Sequence, residues 1–270
     1  MTRSGRRTGT FIATREHRRF VEFANAVRRN ATIGLCYGRA GVGKTLSARR
    51  YAHWDLIEPL VTEWGPREPS DAKVYAAAGR ARTLIYTPAV GDTTAAMRKD
   101  IGILIPRVRI CIGGPKPYRH PLPLSPIELV IIDEAERLST AGLEFFRDQF
   151  DRSDAGLILI GMPGIEKRMS HYPQLYSRIG FAHEYPELSR EEMQFVLARH
   201  WRKLGLEFDG ADFTDTRAAG AIIRLTGGNF RLLQRLFVQI ERILRINEMT
   251  LITEEVIEAS ARTLVFGSAN

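Results

Sequence analysis

Gly38-Arg39-Ala40-Gly41-Val42-Gly43-Lys44-Thr45 has the form G-x-x-x-x-G-K-T, and its surroundings give the pattern a physical meaning. Before it, Thr32 to Tyr37 is a short apolar run that reads as a buried strand. After it, Leu46, Ala48, Tyr51 and Ala52 fall at helical spacing. A strand, a glycine turn and a helix in that order form a phosphate cradle. The glycines let successive backbone N–H groups turn inward, and the helix N-terminus adds its positive end. The nucleotide-binding residues expected here are Gly38, Arg39, Ala40, Gly41, Val42, Gly43, Lys44, Thr45 and Leu46. Lys44 reaches the β and γ phosphates, and the Thr45 hydroxyl ligates Mg²⁺.

Downstream, Glu128-Leu129-Val130-Ile131-Ile132-Asp133-Glu134 is an apolar strand that ends in two carboxylates. Successive residues leaving a strand point in different directions. Asp133 therefore serves the metal shell beside Thr45, while Glu134 orients and deprotonates an attacking water, which is hydrolase chemistry. No Asn-Lys-x-Asp or Thr-Lys-x-Asp segment of the guanine-reading kind is present, so ATP with Mg²⁺ is the expected cofactor pair.

Further apolar runs at Thr83 to Thr87, Leu129 to Ile132, Leu157 to Ile160 and Gly180 to Tyr185 alternate with helix-like segments near 92 to 104, 139 to 150 and 163 to 178. That alternation predicts an α/β fold with a three-layer parallel sheet. After Pro186 the strand signals stop, and helical segments near 189 to 204, 215 to 226, 229 to 246 and 253 to 263 predict a small C-terminal helical lid domain. The expected division is 1-30 for a basic arm and lead-in helix, 31-186 for the phosphate-loop core and 187-270 for the lid. Ile105 to Pro126 holds six of the thirteen prolines, which predicts a long exposed loop or extended hairpin in place of a helix.

The 270 residues carry 39 Lys and Arg against 31 Asp and Glu, a net charge of +8. The first thirty residues hold eight arginines against Glu16 and Glu22, which points to a polyanionic partner. No apolar stretch is long enough to span a bilayer, and the basic start lacks an apolar segment behind it, so a cytoplasmic protein without a membrane partner is expected. Cys36 and Cys111 are too few and too far apart for a disulfide framework or cysteine metal site, and the six histidines show no ligand spacing. Trp54, Trp64 and Trp201 read as packing residues.

With Asp133-Glu134 closing its strand, the chain resembles the AAA+ ATPases. Leu157-Ile158-Leu159-Ile160-Gly161-Met162 is similar to the strand ending in that family's sensor 1, although Gly161-Met162 stands where a polar Asn, Thr or Ser is usual, which suggests slow hydrolysis. Tyr176-Ser177-Arg178-Ile179-Gly180 resembles the arginine-finger segment, which implies that Arg178 meets the γ-phosphate of a neighbouring subunit. Gly227-Gly228-Asn229-Phe230-Arg231 resembles the sensor 2 entry, which implies that Arg231 faces the nucleotide of its own subunit.

Within that family the chain most resembles the transposition ATPases of the TniB, TnsC and MuB type. The carrying segments are Phe11-Ile12-Ala13-Thr14-Arg15-Glu16-His17, Ile33-Gly34-Leu35-Cys36-Tyr37-Gly38-Arg39, Asp133-Glu134-Ala135-Glu136-Arg137-Leu138 and Leu175-Tyr176-Ser177-Arg178-Ile179-Gly180. The resemblance implies a homo-oligomer, ring or helical filament, that assembles with ATP on double-stranded DNA. It also implies recruitment of a transposase, with a target-selection protein as a further partner. DNA contacts are then expected just after the second strand, at Thr93, Thr94, Arg98 and Lys99, with Lys116 and Arg119 in the proline-rich segment as a second candidate set. Helicase loaders, and ATPases of secretion or signalling assemblies, share enough of the pattern to be the alternatives.

Overall fold

The computed structural model describes residues 11–65, 68–114 and 126–264. These residues fall into two compact units, one from Arg19 to Tyr185 and one joining the chain up to Arg18 with Pro186 onward.

The larger unit is built on five strands, β1 (Ile33–Tyr37), β2 (Thr83–Tyr86), β3 (Leu129–Ile132), β4 (Gly156–Gly161) and β5 (Ile179–Glu184). Their order across the sheet is β2-β3-β4-β1-β5, and every neighbouring pair is parallel. All four residues of β2 and all six of β4 are buried. Because successive strand side chains point to opposite faces, such unbroken burial means that both faces are covered, which is why β4 carries Leu157-Ile158-Leu159-Ile160 without polar alternation. The phosphate loop follows β1 and the Asp133-Glu134 pair follows β3, so both leave the same edge of the sheet. β4 lies between them. In parallel α/β sheets that edge is where ligands bind.

The covering helices are α1 (Arg15–Arg29), α2 (Lys44–Tyr51), α3 (Trp54–Thr62), α4 (Ala72–Ala81), α5 (Thr94–Gly113), α6 (Thr140–Asp151), α7 (Ile165–Ser170) and α8 (Pro173–Tyr176). Phe20, Phe23, Ala24 and Val27 on α1 join the core. The helix lies so close to the sheet that a Cβ at Gly34 would fall 2.5 Å from Val27 Cγ2 and one at Gly156 2.7 Å from the Val27 carbonyl oxygen. These two strand glycines set the helix-to-sheet distance.

One expectation is overturned. The segment from Ile105 does not leave the helix: α5 continues through Pro106 to Gly113. An interior proline costs a helix about 3 kcal/mol through its lost N–H bond and ring clash. Here the turns beyond it bury Val108, Cys111 and Ile112, each contributing about 1.5–3 kcal/mol when fully buried. Packing outweighs the local penalty; Pro115, Pro117, Pro121 and Pro123 lie outside the described residues.

The smaller unit contains α9 (Arg190–Lys203), α10 (Phe213–Thr226), α11 (Phe230–Ile246) and α12 (Glu254–Arg262) around a core of Val196, Leu197, Trp201, Ile222, Leu233, Leu236, Ile240 and Ile257, with Ile12 packed among them. Trp54 and Trp201 are buried, and Trp64 packs against the core of the larger unit. Glu192 closes a capping box with Ser189 at the start of α9. The same carboxylate accepts from the Arg15 and Glu16 backbone N–H groups at 2.9 and 3.3 Å. One acid thus satisfies orphan donors of two helices.

Candidate nucleotide-binding and hydrolysis site

The cradle is shaped by glycines at positions no other residue would tolerate. Gly41 and Gly43 have φ of 84° and 118°. A Cβ at Gly38 would fall 2.1 Å from the Tyr185 carbonyl oxygen. No side chain caps the start of α2, so its first N–H groups keep the donor capacity that suits a phosphate. Val42 is buried while Arg39, Ala40 and Leu46 are exposed around the loop. The Gly38 N–H donates to the Gly161 carbonyl at 3.4 Å, tying the loop to the end of β4.

Lys44 is buried, with its ammonium donating to the Gly38 carbonyl and, at 2.8 Å, to the Arg39 carbonyl. The neighbouring Thr45 hydroxyl hydrogen-bonds the buried Asp133 carboxylate, which also accepts the Glu134 N–H at 3.0 Å. Burial pushes the Asp133 carboxyl above its ordinary range, while Thr45, the Glu134 N–H and the Lys44 charge pull the other way. Burial also pushes the adjacent Cys36 thiol up to about 12, so it takes no part as a thiolate. A hydroxyl and a carboxylate side by side next to a buried ammonium form the hard-oxygen donor set that Mg²⁺ prefers, so the residues fit a magnesium–nucleotide complex.

Glu134 takes φ of 53°, a left-handed conformation. Its carboxylate is ion-paired with Arg137 in the following turn, Ala135–Arg137. The same guanidinium donates at 2.8 Å to the Pro88 carbonyl between β2 and α5. Arg168 fastens that turn from α7 through the Glu136 and Leu138 carbonyls.

Sequence reasoning singled out neither Arg137 nor the pair behind the cradle. Tyr185 and Ser47 share a buried hydroxyl–hydroxyl hydrogen bond of 2.8 Å, and the Tyr185 ring lies against Gly43. The two residues are 138 positions apart, so no local pattern signals them. At the sensor 1 position, a Cβ at Gly161 would fall 2.4 Å from Ile165 Cδ1 and 3.1 Å from Glu136 Oε2, so a side chain there would require those side-chain ends to shift.

The remaining expected site residues lie elsewhere. Arg178 immediately precedes β5, whose first residue pairs with the first residue of β1, so it sits at the edge of the sheet opposite the phosphate loop. There its guanidinium grips Asp151 at 2.7 and 3.0 Å. Arg231 is exposed in the first turn of α11, in the smaller unit, where Asn229 caps the helix. Thr93 is the N-cap of α5 and accepts from the Ala96 N–H. Thr94 opens that helix, Arg98 lies over the Phe145 ring at 5.4 Å, and Lys99 is exposed. Lys116 and Arg119 lie outside the described residues. Among the described residues no His, Cys, Asp and Glu cluster forms a further metal site, and no helix is long and apolar enough to cross a membrane.

Residues 27–169 match a protein family described as an AAA domain. The chain belongs to this AAA family. It is 41% identical over 266 residues, 95% of this chain and 97% of the relative, to a potential ATP-binding protein of Staphylococcus aureus. It is also 28% identical over 239 residues, 84% of this chain and 71% of the relative, to the Mu-like prophage FluMu DNA transposition protein B of Haemophilus influenzae. Among solved structures, the fold is similar to the RuvB Holliday junction branch migration motor of Thermotoga maritima, with a TM-score of 0.56, 16% identity and coverage of 92% of this chain and 68% of that one. It is likewise similar to the Aeropyrum pernix ORC2 protein, with a TM-score of 0.57, 14% identity and coverage of 94% and 68%. The AAA chain therefore binds ATP and is an ATP hydrolase.

Proposed function

We propose that this AAA ATPase assembles with ATP on double-stranded DNA, without reading its sequence, and regulates transposition by presenting target DNA to a transposase. The relationship to a DNA transposition protein over 84% of the chain carries this reading, and the wide spacing of the arginines supports an assembled enzyme. Arg178 lies a full strand away from the cradle of its own chain, about 20 Å at 3.3 Å per residue. Its guanidinium is therefore suited to the phosphates held by another copy. Arg231 is assigned to the nucleotide of its own subunit.

In this mechanism Lys44 exchanges its two loop carbonyls for phosphate oxygens, and the α2 N–H groups orient the chain of phosphates. Mg²⁺, when held by Thr45 and Asp133, neutralises phosphate charge. Glu134 leaves Arg137 and accepts a proton from the attacking water at its carboxylate, and Arg178 neutralises charge that spreads onto the transferred phosphoryl. With Gly161 contributing no side chain and Glu134 held by Arg137, turnover is slow, which suits a timer for residence on DNA. Phosphate contacts from Thr94, Lys99 and Arg98 at the start of α5 supply sequence-independent grip, with Thr93 contributing through its cap, and Lys116 and Arg119 adding charge.

The test is binding to labelled double- and single-stranded DNA across a salt series with ATP, a slowly hydrolysed analogue, ADP or no nucleotide. ATP-dependent, cooperative duplex binding that weakens steeply with salt is expected, and Glu134→Gln should prolong residence in ATP. Preference for single strands would replace this reading with that of a helicase loader. Absence of binding in every nucleotide state would favour a protein partner.

A further inference from the structure

The smaller unit sorts its charges in a way that a solvated coat does not require. From Pro186 to Leu264 eleven Lys and Arg stand against twelve Asp and Glu, so the segment is close to neutral. Yet α11 holds Arg231, Arg235, Arg242 and Arg245 with Glu241 as its one acid, whereas α12 opens on Glu254 and Glu255 and adds Glu258. α11 buries Phe230, Leu233, Leu236, Phe237, Ile240 and Leu244. All four of its arginines are exposed. At 3.6 residues per turn and 1.5 Å per residue they lie within an arc of about 80° along about 21 Å of helix.

In the same unit the exposed Arg217 and Arg224 both pair with Glu254, and in the larger unit the half-buried Arg147 pairs with Glu144 and Asp151 and the half-buried Arg178 with Asp151. Among the described residues none of the four α11 arginines has an ion-pair partner, although the unit has acids to spare. Their charge is directed outward without compensation, on a straight helix face.

We infer that the row Arg235, Arg242 and Arg245 is a contact surface for the phosphate backbone of duplex DNA. This rests on the DNA-binding reading above and adds to it a surface on the helical unit. A duplex presents a charge about every 1.7 Å of its axis, so a straight cationic row meets phosphates in any register. The guanidinium fork suits phosphate oxygens. Val238, 60% exposed, stands in the middle of the row. Glu241 is the one acid at the flank of the row, beside the neutral amides of Gln234 and Gln239, so the face as a whole is cationic.

The test compares two full-length triple variants of equal charge. Arg235→Gln/Arg242→Gln/Arg245→Gln removes the row and leaves Arg231 for the nucleotide. Arg199→Gln/Arg202→Gln/Arg262→Gln removes three exposed cations from other helices of the same unit. Duplex affinity is measured across a salt series with a slowly hydrolysed ATP analogue, alongside thermal unfolding to establish that both variants fold. The row variant should lose about 2 to 3 from the slope of log affinity against log salt, at about 0.9 per phosphate contact, and bind at least about 10-fold more weakly. The control should stay within about twofold. Equal losses in both variants would overturn the inference by showing a general charge effect. An unchanged slope in the row variant, with the wild type binding normally, would overturn it and leave the DNA-binding reading standing. An unchanged slope with lost self-association would assign the row to an acidic protein surface. A wild type that binds no duplex would overturn both.

Discussion

The two edges of the parallel sheet handle charge in opposite ways. At the edge where the strands end, Lys44, Thr45 and Asp133 are drawn together within the chain, with the ammonium and the carboxylate both buried. Lys44 donates to two loop carbonyls. At the edge where the strands begin, Arg28 and Arg82 clasp Glu128, and Arg178 clasps Asp151, all partly exposed. A buried ammonium on neutral carbonyls gains strongly from a phosphate, because charge-assisted hydrogen bonds are roughly twice as strong as neutral ones. An exposed guanidinium pair is worth about 0–1 kcal/mol and is readily exchanged. In the proposed mechanism the first edge holds ATP in its own chain, and the second offers Arg178 to the phosphates of a copy beside it.

The largest effect should follow Lys44→Ala. We predict a loss of ATP affinity of at least about 100-fold in calorimetric titration and no hydrolysis; a loss below tenfold would break the assignment of the two edges. Arg178→Ala should leave ATP affinity within about threefold yet lower hydrolysis by about 10²- to 10³-fold. Loss of affinity in parallel with rate would mean that Arg178 merely supports the fold.

Tyr185→Phe removes the hydroxyl that pairs with Ser47 behind the cradle. A net hydrogen bond is worth about 1 kcal/mol, so ATP affinity should fall about fivefold with kcat little changed. The opposite edge should answer differently to Glu128→Gln, losing about 1 kcal/mol of stability in denaturant unfolding and no ATP affinity. Partial desolvation raises the Glu128 pKa, but hydrogen bonds from Arg28 and Arg82 outweigh it and hold the carboxyl below its ordinary range. A depressed folded pKa means that this contribution is fully present above about pH 4.5 and is lost as pH falls through the folded value. The wild-type minus Glu128→Gln stability difference should therefore shrink only below about pH 4.5.

Much of the nucleotide edge was legible because its pattern is local: eight consecutive residues shape the loop, and Asp133 and Glu134, the carboxylates proposed for metal and water, are adjacent at the end of one strand. The strands and the four helices after Pro186 were legible from their apolar runs. The remainder depended on contacts distant in sequence. The extension of α5 past Pro106 is held by Val108, Cys111 and Ile112 in a core assembled from the whole unit, which a reading of proline content misses. Tyr185 reaches Ser47 only because β5 lies beside β1. Arg137 was quoted as part of a family segment, but its bridge from Glu134 to the Pro88 carbonyl emerges only once β2 and β3 are paired. The Gly161 departure is visible in the sequence, but its neighbours Ile165 and Glu136 are not.

The most direct test of the account is ATP hydrolysis on duplex DNA by mixtures of Lys44→Ala and Arg178→Ala proteins, each inactive alone. One copy retains a cradle without an arginine to complete it, and the other retains the arginine without a cradle. If the two sheet edges of different copies build one hydrolysis site, mixing should restore activity, up to about a quarter of the wild-type rate for random pairing at equal amounts. Mixtures that stay at background in every proportion, while both variants still assemble with the wild type, would contradict it.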